Sequence, residues 1–153
     1  MKYLTLFLLL VTLASPAVAQ TALDDQIALA RQSAQTDRKV ILLANMNFTS
    51  EESELFWPKW EEYRAAAVAN GDRKLALIKE FAENYENMNN QVADEVMTDY
   101  FSIKMQEIVI LQSFAKELTH FMPATKAMRV IQIETKLDAA ITMQLASEIP
   151  LAK

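Results

Sequence analysis

A chain of 153 residues with 15 basic and 20 acidic side chains carries a formal charge of −5, which argues against nucleic acid and anionic lipid surfaces as partners. It has no cysteine, which removes disulfides, thiol chemistry, covalent haem attachment through CxxCH and a lipidated cysteine anchor. One glycine and four prolines, in a sequence rich in Ala, Leu, Glu, Lys, Gln and Met, leave too little turn chemistry for sheets and tight hairpins and predict an all-α fold.

The N-terminus reads as a secretory signal over residues 1–19. Lys2 supplies the positive charge, Tyr3 to Ala14 is an apolar run interrupted by Thr5 and Thr12, Ser15-Pro16 breaks it, and Ala17-Val18-Ala19 has the small-x-small cleavage form. The run is shorter than the ~20 residues that span a bilayer, so no membrane span is expected after cleavage before Gln20. Loss of Lys2 leaves 14 basic and 20 acidic residues, a formal charge of −6. Residues 20–153 are expected to form a single helical domain.

A first helix is predicted from about Ala22 to Met46. Asp24 and Asp25 favour its N-terminal dipole, and Leu23, Ile27, Ala30, Ala34, Ile41 and Ala44 form its stripe. Val40 to Leu43, apolar all round, is expected to sit deepest. Thr49-Ser50-Glu51-Glu52 then fits a capping box, with Thr49 accepting from the third helical N–H and Glu52 reaching back to the Thr49 N–H. Phe48 and Ser53 hold the staple positions, so no apolar staple is expected. The second helix is predicted from Ser50 to about Glu86 with a kink at Pro58, the alternative being two helices with Pro58 opening the second. Its stripe is Phe56, Trp60, Tyr63, Ala67, Leu75, Ile78, Ala82 and Tyr85, and Asn70-Gly71-Asp72 is its other weak point.

Asn87 to Asn90 reads as a turn. The third helix is predicted from about Gln91 to His120, with Val92, Val96, Tyr100, Ile103, Ile110, Phe114 and Leu118 inward, Leu111 and Phe121 widening the stripe, and Lys104, Glu107 and Lys116 in water. Pro123 suits the first position of a fourth helix, predicted to about Glu148 with Val130, Ile133, Leu137, Ile141 and Leu145 inward and stopped by Ile149-Pro150. Four long helices with short connections make antiparallel hairpins, closing into a bundle or remaining a bent open layer.

Catalytic chemistry lacks its parts. The single histidine is His120, and no serine sits in a glycine-bracketed turn, so no enzyme is expected. Glu117-Leu118-Thr119-His120 has the Glu-x-x-His spacing of di-iron bundles, but that site needs the motif twice. His120 and Met122 could ligate a soft metal or haem with a methionine from another helix, for which Met97 and Met105 are candidates. Methionine more often fills cores, and no cofactor is expected. The adjacent acidic pairs Asp24/Asp25, Glu51/Glu52 and Glu61/Glu62 do not share a helix face and read as capping and solvation.

The aromatic run Phe56-Trp57-Pro58-Lys59-Trp60-Glu61-Glu62-Tyr63 is the most constrained stretch. Phe56, Trp60 and Tyr63 share one face that reads as core. Trp57, about 100° around the helix from Phe56, belongs at the edge or in water. Trp57, with Phe56 and Trp60 beside it, is the candidate partner contact.

Phe48-Thr49-Ser50-Glu51-Glu52 resembles a degenerate LTxxQ motif of the Spy/CpxP-like periplasmic helical proteins. The ordered set FTSEE, FWPKWEEY, MPATKAMRVIQIETKL and EIPLAK resembles a group of secreted bacterial proteins reading LTxxEAxxFWPxYxEY and LPAKKxARxxQIExKL, over most of the mature chain. Phe48 and Glu52 stand where that family has leucine and glutamine, and this chain is acidic where Spy-type client surfaces are basic. The resemblance implies a periplasmic helical protein, a cradle-shaped homodimer, and ATP-independent chaperoning of unfolded clients or a role in envelope stress. A structural or regulatory partner of one envelope protein is the alternative, and a small metal- or haem-binding bundle the second.

Overall fold

The computed structural model describes residues 36–146, and side chains as far as Met143. The chain divides into two compact units, Met1–Lys39 and Val40–Lys153. Of the first, the described residues 36–39 are helical, and Arg38 is buried. The signal segment, the earlier part of the first predicted helix and the Ile149-Pro150 stop lie outside the described residues.

Four helices and no strand make up the described residues: α1 (residues 36–45), α2 (Ser50–Asn84), α3 (Asn90–Leu118) and α4 (Ala124–Ala146), with a 3₁₀ turn at Tyr85–Asn87. None of these helices is long and apolar enough to cross a membrane. Polar side chains set their starts. Thr49 Oγ1 accepts from the Glu52 N–H and the Glu52 carboxylate accepts from the Thr49 N–H, the complete capping box. Asn89 Oδ1 accepts from the N–H groups of Gln91 and Val92. Pro123 flanks α4 rather than opening it, its carbonyl accepting from Lys126 and Ala127.

The helix α2 is continuous through both weak points, with Pro58 and Gly71 inside its 35 residues. Helix formers on both sides outweigh one missing N–H and one glycine. The helix packs antiparallel to α3, and the cross-pairs run in opposite senses along the two chains. Lys59 lies 3.7 Å from Glu117, Tyr63 stacks on Phe114 at 4.4 Å, Asn70 Nδ2 donates to the Ile103 carbonyl at 3.0 Å, and Arg73 donates to Ser102 Oγ. A tight turn through Thr119 to Pro123 sends α4 back along α3 as a second hairpin.

The core gathers where these elements meet. Leu42 and Met46 come from α1 and its exit, Phe56, Trp60 and Tyr63 from α2, Phe114 and Leu118 from α3, Met122 from the turn, and Ala127 and Val130 from α4. Further along the hairpin, burial thins to Asn70, Leu77 and Ile103.

Several expected faces shift. Within the Val40–Leu43 run only Leu42 is fully enclosed, while Val40 and Leu43 lie in water, because one face of the helix reaches the core. On α2 the buried series runs Phe56, Trp60, Tyr63, Asn70, Leu77, an unbroken four-and-three rhythm with half-buried Ala67 and Lys74 between. The predicted continuation of the stripe through Leu75, Ile78 and Ala82 leaves that phase and is corrected to Asn70, Lys74 and Leu77. On α3, Tyr100 is exposed. On α4 the buried line is Ala127, Val130 and Glu134, with Ile133 and Leu137 half-buried and Ile141 exposed.

Candidate interaction surface

The start of α2 is tied to α4 by one lysine. Lys126 Nζ donates to the Asn47 carbonyl and to Glu52 Oε2, and stands 5.5 Å from the Phe48 ring centre. The Lys126 hydrogen bond, then the Thr49 N–H, holds the Glu52 carboxyl below its ordinary value of 4.5, against a smaller opposing effect of burial. Glu52 thus serves the capping box and an inter-helix clasp together.

Phe48 supplies the staple that the sequence does not predict. It skips Ser53 and packs one turn further on, 4.5 Å from the Phe56 ring and 6.3 Å from Trp57. Ser53 has another use, its Oγ accepting from Trp57 Nε1 at 3.1 Å. Trp57 is half-buried, edge-on to Phe56 at 4.9 Å and to Trp60 at 5.6 Å. The three candidate contact residues therefore differ in exposure, with Trp57 at the edge of the core as its helix position predicts. Phe56 and Trp60 are fully enclosed and present no surface, and Trp57 is occupied as a buttress of the core.

Trp60 Nε1 donates to Glu134 Oε1 at 2.8 Å, and Arg64 stands 3.8 Å from the other carboxylate oxygen. Glu134 has no exposed side-chain area. Arg64 also lies 5.6 Å from the Tyr63 ring centre, and its Nε is buried without a hydrogen-bond partner. A buried carboxylate needs both a donor and a counter-charge, and α2 provides both from one face. Three of the sequence segments singled out above converge here, with residues 48–52 meeting Lys126 and residues 56–63 meeting Glu134. Their shared constraint is packing and clasping. The fourth, residues 148–153, lies outside the described residues.

The metal-ligand candidates do not come together. Met97 and Met105 lie on α3, the helix that ends just before His120, and 13 residues separate Met105 from Leu118, about 20 Å of helix. His120 is exposed and Met122 is enclosed in the core. Among the described residues no three of His, Asp and Glu gather as a metal cluster.

The outstanding free surface is on α3. Met97, Phe101, Met105, Ile108 and Val109 are 52%, 61%, 68%, 66% and 50% exposed. At 100° per residue they fall within an arc of about 120°, on nearly the opposite side from Ile103, Phe114 and Leu118. Tyr100, also exposed, sets its ring edge-on to Phe101 at 5.5 Å. Six large apolar residues left about half exposed or more present several hundred Å² of apolar surface. The largest patch on a typical monomer is about 300–600 Å². This surface was missed because one apolar stripe already explained α3. The signal was a second stripe, Met97-Phe101-Met105-Ile108, with four-, four- and three-residue steps. No protein-family model, no curated protein and no solved structure matches this chain.

Proposed function

We propose that the protein is a periplasmic, non-enzymatic binding protein of the Spy/CpxP type that holds unfolded envelope proteins on the exposed apolar face of α3. The observation that carries this reading is the stripe Met97, Phe101, Met105 and Ile108, left in water by a helix whose other side is already packed. Methionine and aromatic side chains suit such a role, since they adapt to varied apolar partners. The motif resemblance and the secretory signal support the location. The purified mature protein slows aggregation of an unfolded client at low-micromolar concentration, and no effect at stoichiometric excess overturns the proposal.

A second reading, a dedicated partner of one envelope protein, draws on the concentration of exposed apolar side chains along one helix face. It predicts a pull-down with one dominant partner that is lost on Met105→Glu.

A further inference from the structure

The surroundings of the α3 stripe carry a consistent sign. Asp94 stands in line with the stripe, one turn before Met97, and Glu95 and Asp99 lie along one flank with Ser102 and Gln106. Among the described residues no cation pairs with Asp94, Glu95 or Asp99 within salt-bridge distance. The nearby cations are engaged. Lys104 is held by Glu107 at 2.9 Å, which raises its pKa, and Arg73 donates to Ser102 Oγ. Arg73 also shares a shallow cleft with Glu80 and Asp99. Along Asn90–Leu118 the flanking charge is therefore acidic at the N-terminal half, and the basic Lys116 stands in the last turn, beyond the stripe.

We infer that this surface selects a cationic amphipathic helix: a segment with apolar side chains at three- and four-residue spacing and lysine or arginine on its flanks. This rests on the proposed function and narrows its client chemistry. From Asp94 to Val109 the surface runs about 22 Å along the helix, the length of four turns of a partner. An apolar stripe stepping by four and three residues meets another helix as a seam, and flanking charges choose the partner. The like-charged acids oppose a second copy laid parallel along the same face, and they favour a basic partner.

The test uses two 18-residue helical peptides with identical leucine spacing, one with lysines and one with glutamates on the flanks. Each is titrated into the purified full-length mature protein at low and high salt. The lysine peptide binds at least tenfold more tightly at low salt, and the gap narrows at high salt as the charges are screened. Met105→Glu with Ile108→Glu weakens lysine-peptide binding although it adds acid, which a merely electrostatic attraction would not do. Asp94→Asn with Glu95→Gln and Asp99→Asn removes the preference while the helix content is retained. Equal binding of the two peptides, or tighter binding of the glutamate peptide, overturns the charge selection and leaves the stripe as a client surface. If neither peptide binds, the inference falls. Loss of protection in the aggregation assay as well takes the proposed function with it. A dimer in sedimentation that becomes monomeric in the Met105→Glu, Ile108→Glu protein assigns the face to a second copy and overturns the inference.

Discussion

Trp60 and Glu134, 74 residues apart in sequence, meet through a 2.8 Å hydrogen bond in which neither side chain touches water. The bond joins the aromatic run of α2 to the Gln132-Ile133-Glu134 stretch of α4, with Arg64 as the counter-charge. Removing one member of such a cluster takes a buried partner from the others. Glu134→Ala is expected to cost about 3–5 kcal/mol. Trp60→Phe keeps most of the ring volume but removes the donor, and is expected to cost about 1–3 kcal/mol. The double mutant should cost less than the two losses together. Urea unfolding of the four proteins measures this, and strict additivity would contradict the coupling.

The clasp at the start of α2 gives a pH dependence whose sign follows from Glu52. Its folded pKa lies below the ordinary 4.5. The contribution is therefore complete above that value and is lost as pH falls through the lower, folded value. Lys126→Met returns Glu52 toward its ordinary pKa, so stability should fall less steeply below about pH 4.5 than in the wild type. Thr49→Ala, which removes the cap acceptor, is expected to cost about 1 kcal/mol at neutral pH. An unchanged acid slope in the Lys126 variant would show that the clasp does not form in solution.

Gly71 sits in the helical interior of α2 with a negative φ, and a Cβ there would meet nothing within 4 Å. Gly71→Ala is therefore expected to raise stability by about 0.5–1 kcal/mol, mainly by restricting the unfolded chain. Asn70 beside it is buried with Oδ1 unpartnered. Asn70→Leu gives up the bond to the Ile103 carbonyl but removes the orphaned acceptor and gains apolar contact, and is expected to be near neutral. A loss above about 1 kcal/mol in either variant, read from thermal unfolding, would contradict this account of α2.

Trp57 is half-buried and packs on the core edge. Its ring buttresses Phe48, Phe56 and Trp60, and its N–H is satisfied within its own helix. Trp57→Ala is expected to cost about 2–3 kcal/mol, somewhat below the range for a fully buried aromatic. Client binding per folded molecule should be unchanged. Weaker binding at wild-type stability would restore Trp57 as a contact.

The helices were legible because composition and capping signals are local. Thr49 with Glu52 marked the start of α2, and the asparagines at 87–90 marked the turn before α3. The phase of α2 beyond Ala67 was not legible, because the next two positions in its rhythm carry Asn70 and the half-buried Lys74, and polarity hides a buried face. Glu134 was hidden for the same reason. A buried acid is recognised through its donor, and the donor lies on another helix. The α3 surface needed the fold for the opposite reason. Met97, Phe101, Met105 and Ile108 are the side chains that a core normally takes, and only packing shows which of two apolar faces is left over.

The central claim, that α3 carries the client-binding face, is tested most directly by aggregation of an unfolded client with the wild type and with the Met105→Glu, Ile108→Glu protein side by side. Both substitutions are at exposed positions and should change stability by no more than about 0.5 kcal/mol. Unfolding transitions of the two proteins should therefore coincide. The account predicts that protection is lost in the variant while its fold is kept. Equal protection by the two proteins would contradict it.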